Sequence, residues 1–171
     1  MCAGSAGNKR RKEGAAGVDA NFFSASNRDA QANRERMAME TLEELLAWVQ
    51  DETRSGGCAC GIFDATNTTV ARREKVRQRI ATERPYVKLI FVELICNDEA
   101  LLEANYRMKL SNDDYKGADP EAALADFKER VRQYELVYEH VDDEVECRAL
   151  TLTLALALAL ALALALALAL A

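Results

Sequence analysis

Residues Cys58 to Arg73 read C-A-C-G-I-F-D-A-T-N-T-T-V-A-R-R, a short apolar run that ends on a carboxylate and is followed by hydroxyls and two arginines. The glycines at 56 and 57 let the chain turn, and Cys58 to Phe63 reads as a buried strand. Asp64 ends that strand where further burial would strand a charge. Asn67 or Thr68 then caps a helix that carries Arg72 and Arg73 in its first turns, where planar guanidinium forks match phosphate oxygens. A strand that ends in an acid and feeds a helix is how open α/β sheets present chemistry at their carboxyl edge. On pattern alone this is an anion site on an α/β layer, and a capped helix after a strand is also ordinary architecture.

Working outward, Tyr86 to Leu94 (Y-V-K-L-I-F-V-E-L) is a second strand, separated from the first by a helix over Thr69 to Glu83 that Pro85 closes. Strand, helix and strand at this spacing predict a parallel βαβ unit, with Asp64 and Cys96 on one edge of the sheet. Upstream, Arg28 to about Thr53 carries Met37, Ala38, Thr41, Leu42, Leu45, Leu46 and Val49 at helical spacing, so a long amphipathic helix packs on that sheet. Ser26 and Asp29 resemble a capping box, and Ser55 to Gly57 ends the helix. Downstream, Asp98 caps a helix through Met108 that carries Leu101, Leu102 and Tyr106 inward. Lys109 to Gly117 is a polar loop. Asp119 and Pro120 open a helix to about His140 with Leu124, Phe127, Val131 and Tyr134 on one face, beside Arg130.

The 171 residues hold one domain, with net charge -6 from 22 basic and 28 acidic side chains. That balance argues against a nucleic-acid backbone binder. Five irregularly spaced cysteines and no apolar leader read as reduced thiols in the cytoplasm. Cys58 and Cys60 have the look of half a metal site, but no second Cys/His pair exists and His140 is the sole histidine, so packing inside a strand is the favoured reading. Residues 1–21 are small, polar and basic, with Lys9 to Lys12 as a solvated charge run, and read as a flexible segment.

In order and spacing, I-F-D-A-T-N-T-T followed by R-R, L-I-C-N-D, N-Y-R-M-K, D-Y before Gly117, and D-F-K-E-R-V-R-Q-Y-E-L-V-Y-E resemble the kinase domain of the 6-phosphofructo-2-kinase/fructose-2,6-bisphosphatase family, in its plant and algal forms above all. The likeness covers roughly Gly7 to Val141 and includes Arg10-Arg11 upstream of N-F-F. It implies an α/β domain of the P-loop-kinase type, three-layered and incomplete here, with a parallel βαβ core over 22–141. The implied reaction moves the γ-phosphoryl of ATP, with Mg²⁺, to the 2-hydroxyl of fructose 6-phosphate and yields fructose 2,6-bisphosphate. By the same resemblance Asp64 and Cys96 are the active-site pair. Arg11, Arg34, Thr66, Arg72, Lys109, Arg130 and Tyr134 hold fructose 6-phosphate, and the ATP segment is Asn105, Tyr106, Arg107, Met108 and Lys109.

Two departures shape the expectation. The family's G-x-x-x-x-G-K-[ST] loop and its strand belong upstream of Arg10-Arg11, and these residues contain neither, so ATP lacks its backbone cradle and turnover should be crippled. The Arg-His-Gly motif of the bisphosphatase half is absent too, so that activity is not expected. From Glu146 on the likeness ends. Residues 142–171 read as an acidic linker and a Leu/Ala low-complexity helix, long enough to cross a bilayer but poorly flanked for insertion, and closer in pattern to translated repetitive DNA than to an anchor. The alternatives are a non-catalytic sugar-phosphate-binding remnant and a tail-anchored membrane protein. Oligomeric state is not legible.

Overall fold

The computed structural model describes residues 2–12, 20–111, 115–142 and 149–153. In chain order these form β1 (Cys2–Ser5), α1 (Ala6–Lys12), a 3-10 turn (Ala20–Phe23), α2 (Arg28–Thr53), β2 (Gly61–Asp64), α3 (Val70–Glu83), β3 (Phe91–Ile95), α4 (Glu99–Lys109), α5 (Pro120–Glu135) and β4 (Ala149–Thr153).

Helix α2 is the central element. The stripe expected from its spacing is buried in full, from Met37 and Ala38 through Thr41, Leu42, Leu45, Leu46 and Val49. Leu42 and Leu46 meet Val76 and Ile80 of α3, and Phe63, Val87 and Leu89 close the cluster. Its N-cap is Asn27, whose side chain accepts from the Ala30 amide at 3.0 Å. The box read at Ser26 does not form, because the Ser26 hydroxyl pairs with Ser24 at 2.9 Å. After α2 the chain reverses at Gly56, whose φ of 82° a side chain would strain.

The α/β class with parallel strands holds, but the strands pair differently from the expectation. Strand β2 runs parallel to β1, with Ser5 opposite Asp64. Strand β3 runs parallel to β4, with Phe91 opposite Ala149. The two strands expected to form one βαβ unit thus lie in separate two-stranded sheets. The parallel crossovers instead run from β1 through α2 to β2, and from β3 through α4 and α5 to β4.

Residues 2–12 are therefore a strand and a helix rather than a flexible lead. Small residues are what this place requires. A Cβ on Gly4 would come within 3.1 Å of Thr41 Cγ2, and one on Gly61 would meet Leu45 at the same distance, so both strands lie close on α2 because neither carries a side chain there. The basic run is anchored too, through Lys9 ion pairs to Glu44 at 2.6 Å and Glu40 at 3.4 Å.

Other boundaries also moved. Cys58 and Cys60 are exposed and precede β2, so core packing in a strand is not their role. Residues 86–90 precede β3, which starts at Phe91. Thr69 caps α3, accepting from the Arg72 amide at 3.2 Å, in place of Asn67 or Thr68. Asp98 and Asp119 cap α4 and α5 as read, but α5 stops at Glu135. No residue of α4 is fully buried and Leu101 is exposed, although Tyr106 stacks on Phe127 with centroids 5.4 Å apart. Residues 149–153 form a strand, not the start of a helix. The alternation in A-L-T-L-T has the period of a strand, and β3 offers an edge to pair with. Residues 154–171 lie outside the described residues. Among the described residues no helix is long and apolar enough to cross a membrane.

Leu42, 1% exposed, lies at the centre of the α2–α3 seam, whereas Leu94, 63% exposed, touches little. Leu42→Ala should lower unfolding free energy by about 2–5 kcal/mol and Leu94→Ala by well under 1 kcal/mol, measured by denaturant melts.

Candidate functional site

The cleft that matters opens where β1 and β2 end. Ser5 and Asp64 are register partners at the carboxyl ends of their strands, so α1 and the loop after β2 leave the sheet side by side. Around them is a cleft of about 570 Å³. Helix α1 lines it with Arg10 and Arg11, the 3-10 turn with Phe23, α2 with Arg34 and Glu35, and the loop after β2 with Asp64, Thr66, Thr68 and Thr69. Helix α3 contributes Arg72, the end of α4 Lys109, and α5 Arg130 and Tyr134.

The arginines are held from behind. Arg130, 6% exposed, donates from Nε to Asp126 Oδ2 at 2.7 Å. Its guanidinium lies between the rings of Phe23 and Tyr115, 4.7 Å and 4.8 Å from their centroids. Asp126 is itself fixed by the Tyr115 hydroxyl at 3.0 Å and the Ala20 amide at 2.7 Å, which ties the 3-10 turn to α5. Arg10 is buried with its guanidinium 5.6 Å from the Phe23 ring, and Arg11 donates to Asn8 Oδ1. Arg34 donates to the Phe22 carbonyl and sits 5.6 Å from that ring. Burial pushes the Arg34 pKa down, Tyr134 opposes that and nearby Arg72 adds to it. Arg72 pairs with Glu35.

The loop that carries Thr66 is pinned by a residue whose role the sequence concealed. Arg73, 1% exposed, points away from the cleft and donates to the carbonyls of Asn67, Glu139 and His140, each at 3.0 Å. The Glu139 amide donates to the Thr68 carbonyl at 2.9 Å, and the Glu139 carboxylate accepts from the Val70 amide at 2.6 Å. Residues 138–141 are tied in turn to β3 through buried Glu93, which accepts from the Tyr138 hydroxyl and lies 3.1 Å from His140 Nδ1. Burial, and then the Glu93 carboxylate, push the Tyr138 phenol up to about 12.

The sequence model of the 6-phosphofructo-2-kinase family matches residues 4–153. The chain belongs to the 6-phosphofructo-2-kinase family. The match runs from β1 through β4, beyond the 7–141 read from motifs, and likeness to the family does not stop at Glu146. The chain is 43% identical over 142 residues to 6-phosphofructo-2-kinase 1 of Saccharomyces cerevisiae, covering 81% of this chain and 17% of that protein. It is 48% identical over 134 residues to a probable 6-phosphofructo-2-kinase of Schizosaccharomyces pombe, covering 78% and 19%. To the 6-phosphofructo-2-kinase/fructose-2,6-bisphosphatase of Arabidopsis thaliana it is 37% identical over 139 residues, covering 80% and 18%. It thus spans less than a fifth of the length of each of these relatives.

Of the residues singled out in the sequence, Asp64, Arg11, Arg34, Thr66, Arg72, Lys109, Arg130 and Tyr134 all line this one cleft. Cys96 does not; it follows β3, in the other sheet, with Sγ 3.9 Å from the Asp98 carbonyl. Asn105, Tyr106, Arg107 and Met108 also lie outside the lining, with Arg107 paired to Glu103 at 3.0 Å and Met108 exposed. Arg10 and Phe23, read as parts of family motifs but given no site role, also line the cleft, as does Glu35, which motif reading passed over. The signal for Arg10 was its place beside Arg11, and for Glu35 its place beside Arg34. Among the described residues no group of three or more His, Cys, Asp or Glu side chains could hold a metal ion.

Replacing Arg73 by Met should release residues 139–141 and the Thr68–Val70 amides together, seen as joint loss of hydrogen-exchange protection, with stability falling by about 3 kcal/mol or more as three carbonyls lose a charged donor. Tyr138 supplies a second check. Its pKa is raised on folding, so its contribution is complete below about pH 10 and is lost as pH climbs toward 12. The stability gap between wild type and Tyr138→Phe should therefore narrow between those values.

Proposed function

We propose that the cleft binds fructose 6-phosphate and is the sugar-phosphate half of a 6-phosphofructo-2-kinase site. The observation that carries this is the convergence of Arg11, Arg34, Arg72, Lys109 and Arg130, with Asp64, Thr66 and Tyr134, from α1, α2, β2 and its loop, α3, α4 and α5 into one cleft. A sugar phosphate dianion needs several cationic donors at fixed angles, and these arginines are held on rings, carbonyls and carboxylates. Thr66 and Tyr134 supply hydroxyls for the sugar. Asp64, at the end of β2, is the acceptor for the proton of the hydroxyl to be phosphorylated, with Cys96 an active-site neighbour by family likeness.

ATP fits less well. These residues contain no G-x-x-x-x-G-K-[ST] segment, and the amides opening α3 already serve Thr69 and Glu139. The segment 105–108 offers no backbone cradle, being helix. Mg²⁺ would take Asp64 and otherwise depend on the nucleotide's phosphates. In this reading the 171-residue chain binds the sugar phosphate and transfers phosphoryl groups at background level. As part of a working kinase it would act in the cytoplasm on fructose 2,6-bisphosphate metabolism and so in the regulation of glycolysis.

Calorimetry with the full chain tests the binding half. Fructose 6-phosphate should bind more tightly than fructose or inorganic phosphate, and Arg130→Met should weaken it by about ten- to a hundredfold. Equal binding of fructose 6-phosphate and phosphate would remove the sugar from the proposal. Formation of fructose 2,6-bisphosphate, assayed beside Asp64→Ala, should stay at background in both. Robust turnover lost only in that variant would show a complete kinase.

A further inference from the structure

The cleft contains a carboxylate that an anion site has no evident use for. Glu35 follows Arg34 on α2 and reaches across to α3, where Oε2 pairs with Arg72 Nη1 and Oε1 lies 3.4 Å from Lys75 Nζ. A second pair, Glu43 with Arg79, crosses the same helix interface but lies outside the cleft lining. The two differ in setting. The Arg79 side chain is 45% exposed, an ordinary surface partner. That of Arg72 is 13% exposed, and its Nε is shut off from solvent with no hydrogen-bond partner. Glu35 thus neutralises a desolvated guanidinium while leaving part of its donor set unused.

We propose that Glu35 is a tethered competitor for the phosphoryl group on Arg72, and that it sets the charge an incoming anion must bring. This rests on the sugar-phosphate reading of the cleft. A phosphate group has three oxygens to offer Arg72 where the carboxylate engages it through one. When phosphate takes the fork, Glu35 keeps a partner in Lys75, which is 61% exposed and outside the cleft lining, so the displaced carboxylate is not left bare. Exchange therefore favours dianions over monoanions, because only the added charge outweighs a carboxylate held at high local concentration. No bond is made or broken; the step is an exchange of ion-pair partners.

The test compares full-length wild type, Glu35→Gln and Glu43→Gln by calorimetry, with inorganic phosphate and fructose 6-phosphate as probes, at low and high salt. Glu35→Gln should bind both probes about tenfold more tightly at low salt, with the gain shrinking as salt rises, and Glu43→Gln should match wild type. Weaker or unchanged binding in Glu35→Gln would overturn the proposal and make Glu35 a support for Arg72. Labelling by phenylglyoxal, mapped by mass spectrometry, reads the same pair without a ligand. Arg72 should react faster in Glu35→Gln than in wild type, and equal rates would also overturn the proposal. If phosphate binding rises in Glu35→Gln but the sugar adds nothing, the fructose 6-phosphate reading falls and the role of Glu35 stands. If neither protein binds either probe, both fall.

Discussion

The wall of the cleft that carries Arg34, Glu35 and Arg72 takes its position from one apolar seam, Leu42 and Leu46 of α2 against Val76 and Ile80 of α3. Leu42 and Leu46 sit about two and three turns along from Arg34 and Glu35, and Val76 and Ile80 about one and two turns along from Arg72, so the seam fixes the distance between the helices at the point where their charged ends face each other. On its other side α2 accepts the two strands so closely that a Cβ on Gly4 or Gly61 would crowd Thr41 or Leu45 at 3.1 Å. The glycines and the seam together set where β1 and β2 end, and with them Ser5, Asp64 and the start of α1. Burial of plain aliphatic surface, which carries no chemical information, is what brings the informative residues together.

Gathering several guanidinium groups in one cleft costs desolvation and mutual repulsion, and the fold offsets both locally. Arg130 lies between two rings with a carboxylate behind it, Arg34 rests on a ring and a carbonyl, and Arg72 has Glu35. Arg73 shows the opposite use of the same side chain one residue later. Its charge is spent on three carbonyls, and it holds the loop that presents Thr66 without lining the cleft itself. Neighbours in sequence thus divide the work because successive helix residues point about 100° apart.

That division explains what could be read from the sequence. The bounds of α2 and its buried stripe were legible because long amphipathic periodicity is a strong signal. So were the Asp caps of α4 and α5 and most of the cleft residues, the latter through family likeness rather than spacing. The strand Cys2–Ser5 was not legible, since C-A-G-S has neither branched side chains nor alternation; it is a strand only because β2 and α2 form a place for small residues. The exposure of Cys58 and Cys60 was likewise hidden, because an apolar run of this length does not reveal where pairing begins. Spacing alone does not separate Arg72 from Arg73; family likeness singles out Arg72, and the physical reason shows only when the segment 139–141, far along the chain, is seen to lie behind Arg73.

Holding a sugar phosphate and moving a phosphoryl group make separable physical demands. Holding needs fixed cations, which here are desolvated and braced within the described residues. Transfer needs in-line placement of a second polyanion, whose charge must be neutralised at the same edge. Parallel strands are ordinarily covered on both faces. Yet Ile62 of β2 is 43% exposed, and Val92 and Leu94 of β3 are 50% and 63% exposed. The braced cleft does not rely on those exposed strand faces, because the partners that hold its arginines come from α1, the 3-10 turn, α2 and α5 and from the α2–α3 ion pair.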